Sequence, residues 1–219
     1  MKYFIALAAL FCVGLIGISV YIANQQDGGG PRLIPIHSAY TQRMADGAWV
    51  TGNRDSKIVV SEYADFQCPA CRTMSTILNE VVAIDGKNIR FEYHEFPLTT
   101  IHNKSTLAAE GAEAAGRQGK FWEMHDLLYA RQTDWENKLP SSFQSDMYDM
   151  AQTLGLNLEQ FKRDLKDTSI QDPINADVQK ATELNLTATP SIFVNGKAVE
   201  TFPQDAKEMI DMIHKMAAE

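Results

Sequence analysis

Three kinds of hydrophobic pattern divide the chain. Tyr3 to Ala23 is an unbroken run without a charged residue. Ile58 to Phe66 is short and nearly continuously apolar, the pattern of a central strand covered on both faces. From Asn103 to about Leu184 the apolar positions recur at helical spacing. There the pattern predicts helices over Ser105 to Arg117, Lys120 to Gln132, Ser142 to Leu154, Leu158 to Leu165 and Pro173 to Leu184. Asn157 with Gln160 resembles a capping box, and Asp172-Pro173 offers an N-cap followed by a first-turn proline.

The remaining stretches read as strands and two further helices. Leu33 to Asp46 is ambiguous, with Ser38 to Met44 able to form a short helix. Trp49-Val50-Thr51 predicts a first strand, followed by a turn over Gly52 to Asp55. Arg72 to Ala83 is helix-like: Cys71, Met74, Leu78, Val81 and Val82 repeat at helical spacing, with Gly86 just past the end. Ile89 to Phe96 alternates, with Ile89, Phe91 and Tyr93 opposite Arg90, Glu92 and His94. That predicts a half-buried or edge strand, stopped by Pro97. Asn195-Gly196 between Ser191–Val194 and Lys197–Val199 is a hairpin signature. Pro203 to Met216 closes the chain with an amphipathic helix, Met209, Ile210, Ile213 and Met216 inward. The order β-α-β, helical block, β-β-α predicts an α/β sheet interrupted by one inserted helical subdomain.

As a helix, Tyr3 to Ala23 would span about 31 Å, matching a bilayer core. Lys2 before it holds the N-terminus in the cytoplasm and sends the rest outside. The expectation is a membrane anchor over 1–24, a linker and N-terminal arm over 25–46 with Gly28-Gly29-Gly30, and one domain over 47–219 with a helical insertion at about 103–184. A cleaved signal peptide is the alternative, but the run is long for one and bulky Tyr21 sits poorly before a cleavage site at Ala23. Cys12 reads as a membrane residue.

The net charge of -8, with no long Lys/Arg run, argues against a nucleic-acid partner. Three cysteines are too few for a disulfide framework, and the soluble part holds only Cys68 and Cys71. Cys68-Pro69-Ala70-Cys71 lies where the apolar strand gives way to the helix. Two thiols so spaced on a first helical turn can close a disulfide ring, and the helix N-terminus stabilises a thiolate on Cys68. Pro69 suits the first helical position. Glu62 shares a strand face with Ile58, Val60, Ala64 and Phe66 and therefore points inward. Two readings stay open for it: an edge or salt-bridged carboxylate, or a proton acceptor behind Cys71. Asp65, on the face of Tyr63, reads as solvated. His37, His94, His102, His125 and His214 are scattered surface or strand residues, none at metal-ligand spacing with the cysteines. Thr189-Pro190 precedes the third core strand, where a cis bond is affordable.

Four blocks in order carry a resemblance: Glu62 to Cys71, His94-Glu95-Phe96-Pro97-Leu98, Gly119 to His125, and Thr189 to Gly196. Over roughly Gly47 to His214 the chain resembles the thiol-disulfide oxidoreductases of the DsbA family, in the membrane-anchored group that includes BdbD-type proteins. The resemblance implies a thioredoxin-like fold with a helical subdomain between the second and third core strands. It implies that Cys68 is an exposed nucleophile, Cys71 the buried resolving thiol and Glu62 the acid assisting proton transfer. It further implies that Pro190 is a cis-proline beside the disulfide, and that Thr189, with Pro69 and Ala70, meets substrate. Cys68–Cys71 would be the redox disulfide, with no cofactor and no metal. Partners would be exported proteins with free cysteines and a DsbB-like or VKOR-like membrane reoxidase. The setting would be the outer side of a bacterial cytoplasmic membrane. The strongest oxidants of the family carry Pro-His between the cysteines, so Ala70 implies a less extreme potential. Operation as a reductase or isomerase is the alternative direction, and a metal-holding or structural CxxC the alternative class.

Overall fold

A computed structural model describes residues 42–44 and 47–219. The expected anchor over 1–24, Cys12, His37 and nearly all of the 25–46 arm lie outside the described residues. None of the described helices is long and apolar enough to cross a membrane.

The elements are β1 (Gln42–Arg43), β2 (Trp49–Gly52), β3 (Ile58–Ala64), α1 (Pro69–Asp85), β4 (Ile89–Glu95), α2 (Ser105–Gly116), α3 (Phe121–Ala130), α4 (Gln132–Trp135), α5 (Pro140–Thr153), α6 (Leu158–Asp164), a 3-10 turn (Thr168–Ile170), α7 (Gln171–Glu183), β5 (Ser191–Val194), β6 (Lys197–Ala198) and α8 (Ala206–Ala217). The strands form one sheet in the order β1-β2-β4-β3-β5-β6 among the described residues. β3 runs parallel to β4 and antiparallel to β5. It is therefore central, as its continuous apolar run requires.

β4 departs from expectation. It is an interior strand, because β2 pairs antiparallel along its other side, Trp49 opposite Tyr93. Its polar face is covered as well: His94 is buried, its Nδ1 2.8 Å from Oδ1 of Asp177 on α7. Alternation marks a strand with one polar face, and here a helix carrying its own carboxylate makes that face compatible with burial. The short helix allowed for Ser38 to Met44 is also corrected where it is described. Gln42 and Arg43 form a strand opposite Val50 and Trp49, and the Arg43 guanidinium pairs with Glu113 and lies 3.6 Å from Asp177.

Most predicted helix ends fall within a few residues. Asn157 caps α6, its Oδ1 accepting from the Gln160 N–H at 2.9 Å, but Gln118, not Gln160, accepts the Asn157 N–H. α7 starts at Gln171, so Asp172 sits in its first turn instead of capping it. The cap falls one turn earlier, where Asp167 accepts from Ser169. The hairpin is as predicted, with Asn195 and Gly196 at φ +48° and +79°, the left-handed pair that a two-residue turn needs. α8 begins at Ala206, capped by Asp205. A large core joins the β3, β4 and β5 residues Val60, Ala64, Phe91, Tyr93, Ile192 and Val194 to α1, α2, α3 and α8. A small second cluster lies around Tyr63, Phe96 and Ala181.

Candidate active site

β3 delivers the chain to a turn at Asp65–Gln67, after which Cys68 takes the N-cap position of α1 with φ -76° and ψ 122°. Pro69 occupies the first turn, where its missing N–H costs nothing. Cys68 and Cys71 stand as two thiols. The nucleophile expected to be exposed keeps 8 % of its surface, and Cys71 keeps none. Cys68 is covered because its Sγ–H points to the carbonyl of Thr189 at 3.4 Å. The Thr189–Pro190 bond is cis. Sequence-distant Thr189 thus meets Cys68, with Pro190 next to it in the chain, while Pro69 and Ala70, between the cysteines, are exposed.

The two thiols are driven in opposite directions. Cys68 is lowered to about 5, chiefly by the hydrogen bond from the Cys71 thiol, with smaller help from the Thr189 side chain and the N–H groups of Cys71 and Ala70, against burial. The two N–H groups are donors that a helix start leaves unpaired. Burial, above all, pushes Cys71 up, and the Cys68 and Glu62 charges add to it.

Glu62 lies on the central strand, 1 % exposed, and neither carboxylate oxygen has a hydrogen-bond partner. The edge and salt-bridge readings therefore fall. Burial first, and the Cys68 charge second, raise its pKa to about 8. The wall around it is aromatic: Tyr93, in register with Glu62, bonds Tyr129 hydroxyl to hydroxyl at 3.1 Å, and Phe66 packs against both rings.

Asp65 is not solvated. It is 1 % exposed and ties the turn together. Its Oδ1 accepts the Gln67 N–H at 2.7 Å, and its Oδ2 accepts the Leu98 N–H at 2.8 Å and lies 2.8 Å from His102 Nδ1. Its carbonyl accepts the Cys68 N–H at 3.0 Å. The other described histidines are also tied to aspartates, His94 to Asp177, His125 to Asp126 and His214 to Asp85. His94 lies on β4 and His214 is exposed, in keeping with the surface-or-strand reading, whereas His125 is buried on α3 and corrects it. Sequence reasoning missed Gln132. Buried at the start of α4, it donates through Nε2 to the carbonyls of Phe66 at 2.7 Å and Cys68 at 3.0 Å. Gln67 adds a second tie, its Oε1 accepting the Lys104 N–H at 2.7 Å. The only hint in the sequence is a polar residue closing an otherwise apolar helix face.

The family model described as Thioredoxin matches residues 45–215. The chain is 38 % identical over 148 residues to a Na(+)/H(+) antiporter, NhaA 3, of Salinispora tropica, a match covering 68 % of this chain and 22 % of that protein. It thus spans about a fifth of the length of the curated relatives of that kind. It is 29 % identical over 217 residues to the probable disulfide bond formation protein D of Bacillus cereus, covering 94 % of this chain and 92 % of that one. The solved structure of oxidised BdbD from Bacillus subtilis superposes with a TM-score of 0.68 at 26 % identity, covering 81 % of this chain and 97 % of that one.

Proposed function

The chain belongs to the thioredoxin family, with its likeness running to the DsbA-like members, and from that premise we propose that it is an extracytoplasmic thiol-disulfide oxidoreductase. It forms disulfides in exported proteins through Cys68 and Cys71. One observation carries the reading: two thiols of one helical turn are pushed apart, Cys68 to about 5 and Cys71 upward. A low-pKa sulfur is a stable leaving group, and the reduced form that contains it is favoured, which makes the disulfide oxidising.

The steps follow from that asymmetry. A substrate thiolate attacks Cys68 Sγ of the Cys68–Cys71 disulfide, forming a mixed disulfide and expelling Cys71. A buried thiolate at Cys71 is unfavourable, so it takes a proton, and Glu62, protonated at neutral pH, is the acid behind it. A second substrate thiolate attacks the substrate sulfur of the mixed disulfide, and Cys68 leaves as thiolate. Two electrons pass from the substrate dithiol to the cysteine pair. Thr189 presents backbone beside Pro190, along which an extended substrate pairs like an added strand, while Pro69 and Ala70 form the opposite lip.

Regeneration of the disulfide falls to a quinone-linked membrane reoxidase of the DsbB or VKOR kind. Residues 1–24 serve as a single span in the bacterial cytoplasmic membrane, with the catalytic domain outside. Ala70 favours a second reading, a reductase or isomerase, because no imidazole stands between the cysteines to stabilise the thiolate further. Equilibration of the purified chain with glutathione separates the two directions. A reversible single disulfide is expected, at a potential between about -120 mV and about -270 mV and nearer the former. A value at or below that of thioredoxin overturns the oxidising direction, and the absence of any reversible disulfide overturns the activity.

A further inference from the structure

The turn that presents Cys68 is not held by the sheet and α1 alone. The Phe66 and Cys68 carbonyls converge on one buried donor, the Gln132 amide, at 2.7 and 3.0 Å. The Cys68 carbonyl also accepts the Arg72 N–H at 3.1 Å, the first bond of α1, whereas among the described residues nothing else donates to the Phe66 carbonyl. Gln132 comes from the helical block, 64 residues from Cys68 in sequence. Its Oε1 has no hydrogen-bond partner, so the side chain is placed by what it donates and not by what it accepts. The same block grips Gln67 twice, through the Lys104 N–H at 2.7 Å and the Glu136 carbonyl at 3.3 Å.

We propose that Gln132 is a positioning residue for Cys68: its amide clamps the Phe66–Gln67 and Cys68–Pro69 peptides and so aims the Cys68 sulfur at the N-terminus of α1. The inference rests on the thiol-disulfide reading of the site. The N–H groups of Ala70 and Cys71 stabilise a sulfur anion only while the Cys68 backbone holds its extended N-cap conformation. A carbonyl freed at Phe66 or Cys68 lets that peptide rotate and its lone pairs turn toward the sulfur. Gln132 therefore contributes to the redox poise through the backbone, with no hydrogen bond to a sulfur atom among the described residues. The ionisable groups around the Cys68 sulfur are Cys71 on α1 and Glu62 on β3, and neither contacts Gln132 in any hydrogen bond of the described residues.

The test is a pH titration of Cys68 thiolate absorbance near 240 nm in the reduced full chain, with Gln132→Met and Gln132→Glu beside wild type. A destabilising control on the same helix is Trp135→Phe, which disturbs the stack on Phe143. Both Gln132 variants are expected to raise the Cys68 midpoint by about one unit, a tenfold loss of thiolate on the acid side. Their disulfides become correspondingly less oxidising against glutathione. The Trp135 control is expected to lower the melting temperature and leave the midpoint in place. The proposal is overturned if the Gln132 variants titrate like wild type, if the control shifts the midpoint equally, or if both variants lose the native near-ultraviolet circular dichroism, which would make the amide a plain structural tie. Wild type lacking a reversible disulfide would sink the activity itself, a separate and recognisable outcome.

Discussion

Glu62 on β3 and Asp65 just past its end lie three residues apart, both are acids, and each is 1 % exposed. Their surroundings differ in one respect. Asp65 accepts two backbone N–H groups and meets the His102 ring, whereas neither oxygen of Glu62 meets a donor. Burial alone does not make a carboxylate reactive. Donors turn Asp65 into the keystone of a loop, while at Glu62 burial and then the Cys68 charge leave an acid that keeps its proton to about 8. One ties the turn together, and the other is the acid to which the proposed mechanism assigns the proton.

The largest effect is expected from Asp65→Ala. Two backbone N–H groups lose a charged acceptor in a closed turn, at a cost of about 4 kcal/mol. Urea unfolding measures it, and a loss under 1 kcal/mol would put Asp65 back among ordinary solvated residues. Glu62→Gln is expected to act in the opposite direction. An unfolded chain ionises this group near 4.5 and the native one near 8, so native stability falls as pH rises from 4.5 and the penalty is complete above 8. A neutral amide escapes the penalty, so the variant gains about 3 kcal/mol at pH 7 and nothing below pH 4.5. Its resolving step is expected to slow about a hundredfold in stopped-flow fluorescence. A variant equally stable at both pH values would make Glu62 resemble its neighbour.

The smallest effect concerns the thiolate that Glu62 faces. The native Cys68 pKa is depressed, so its contribution to the reduced protein is complete above pH 9 and disappears as pH falls through 5. Between pH 5 and pH 7 the reduced chain gains about 2 kcal/mol from it. Cys68→Ser flattens that part of the profile, read from midpoints of denaturant unfolding. An unchanged slope would mean that the sulfur is not ionised in the native state.

The dithiol, the proline before β5 and the inward direction of Glu62 are legible in the sequence because each is marked locally. A CxxC at a strand-to-helix boundary, an X-Pro at a strand entrance and a period of two need no distant partner. The helices of the block are equally legible, since apolar spacing and cap residues act within one or two turns. The position of β4 is not, because its alternation states that one face is polar and is silent on what covers it. Arg43 is read too far toward helix for the same reason: its strand exists through Trp49 and the carboxylates of Glu113 and Asp177. Asp65 and Gln132 escape the sequence most completely. Apart from the local Asp65–Gln67 bond, their partners lie 33 to 66 residues away, and a polar residue beside an apolar run looks the same whether it meets water or a buried group.

The Thr189 carbonyl that shades the Cys68 sulfur has a consequence for timing. Cys68 keeps 8 % of its surface and its sulfur lies 3.4 Å from that carbonyl, so under the proposed activity an incoming thiolate has to displace the contact before it can line up with the sulfur. Approach then precedes exchange, and a partner segment able to yield locally meets that requirement more readily than a rigid one.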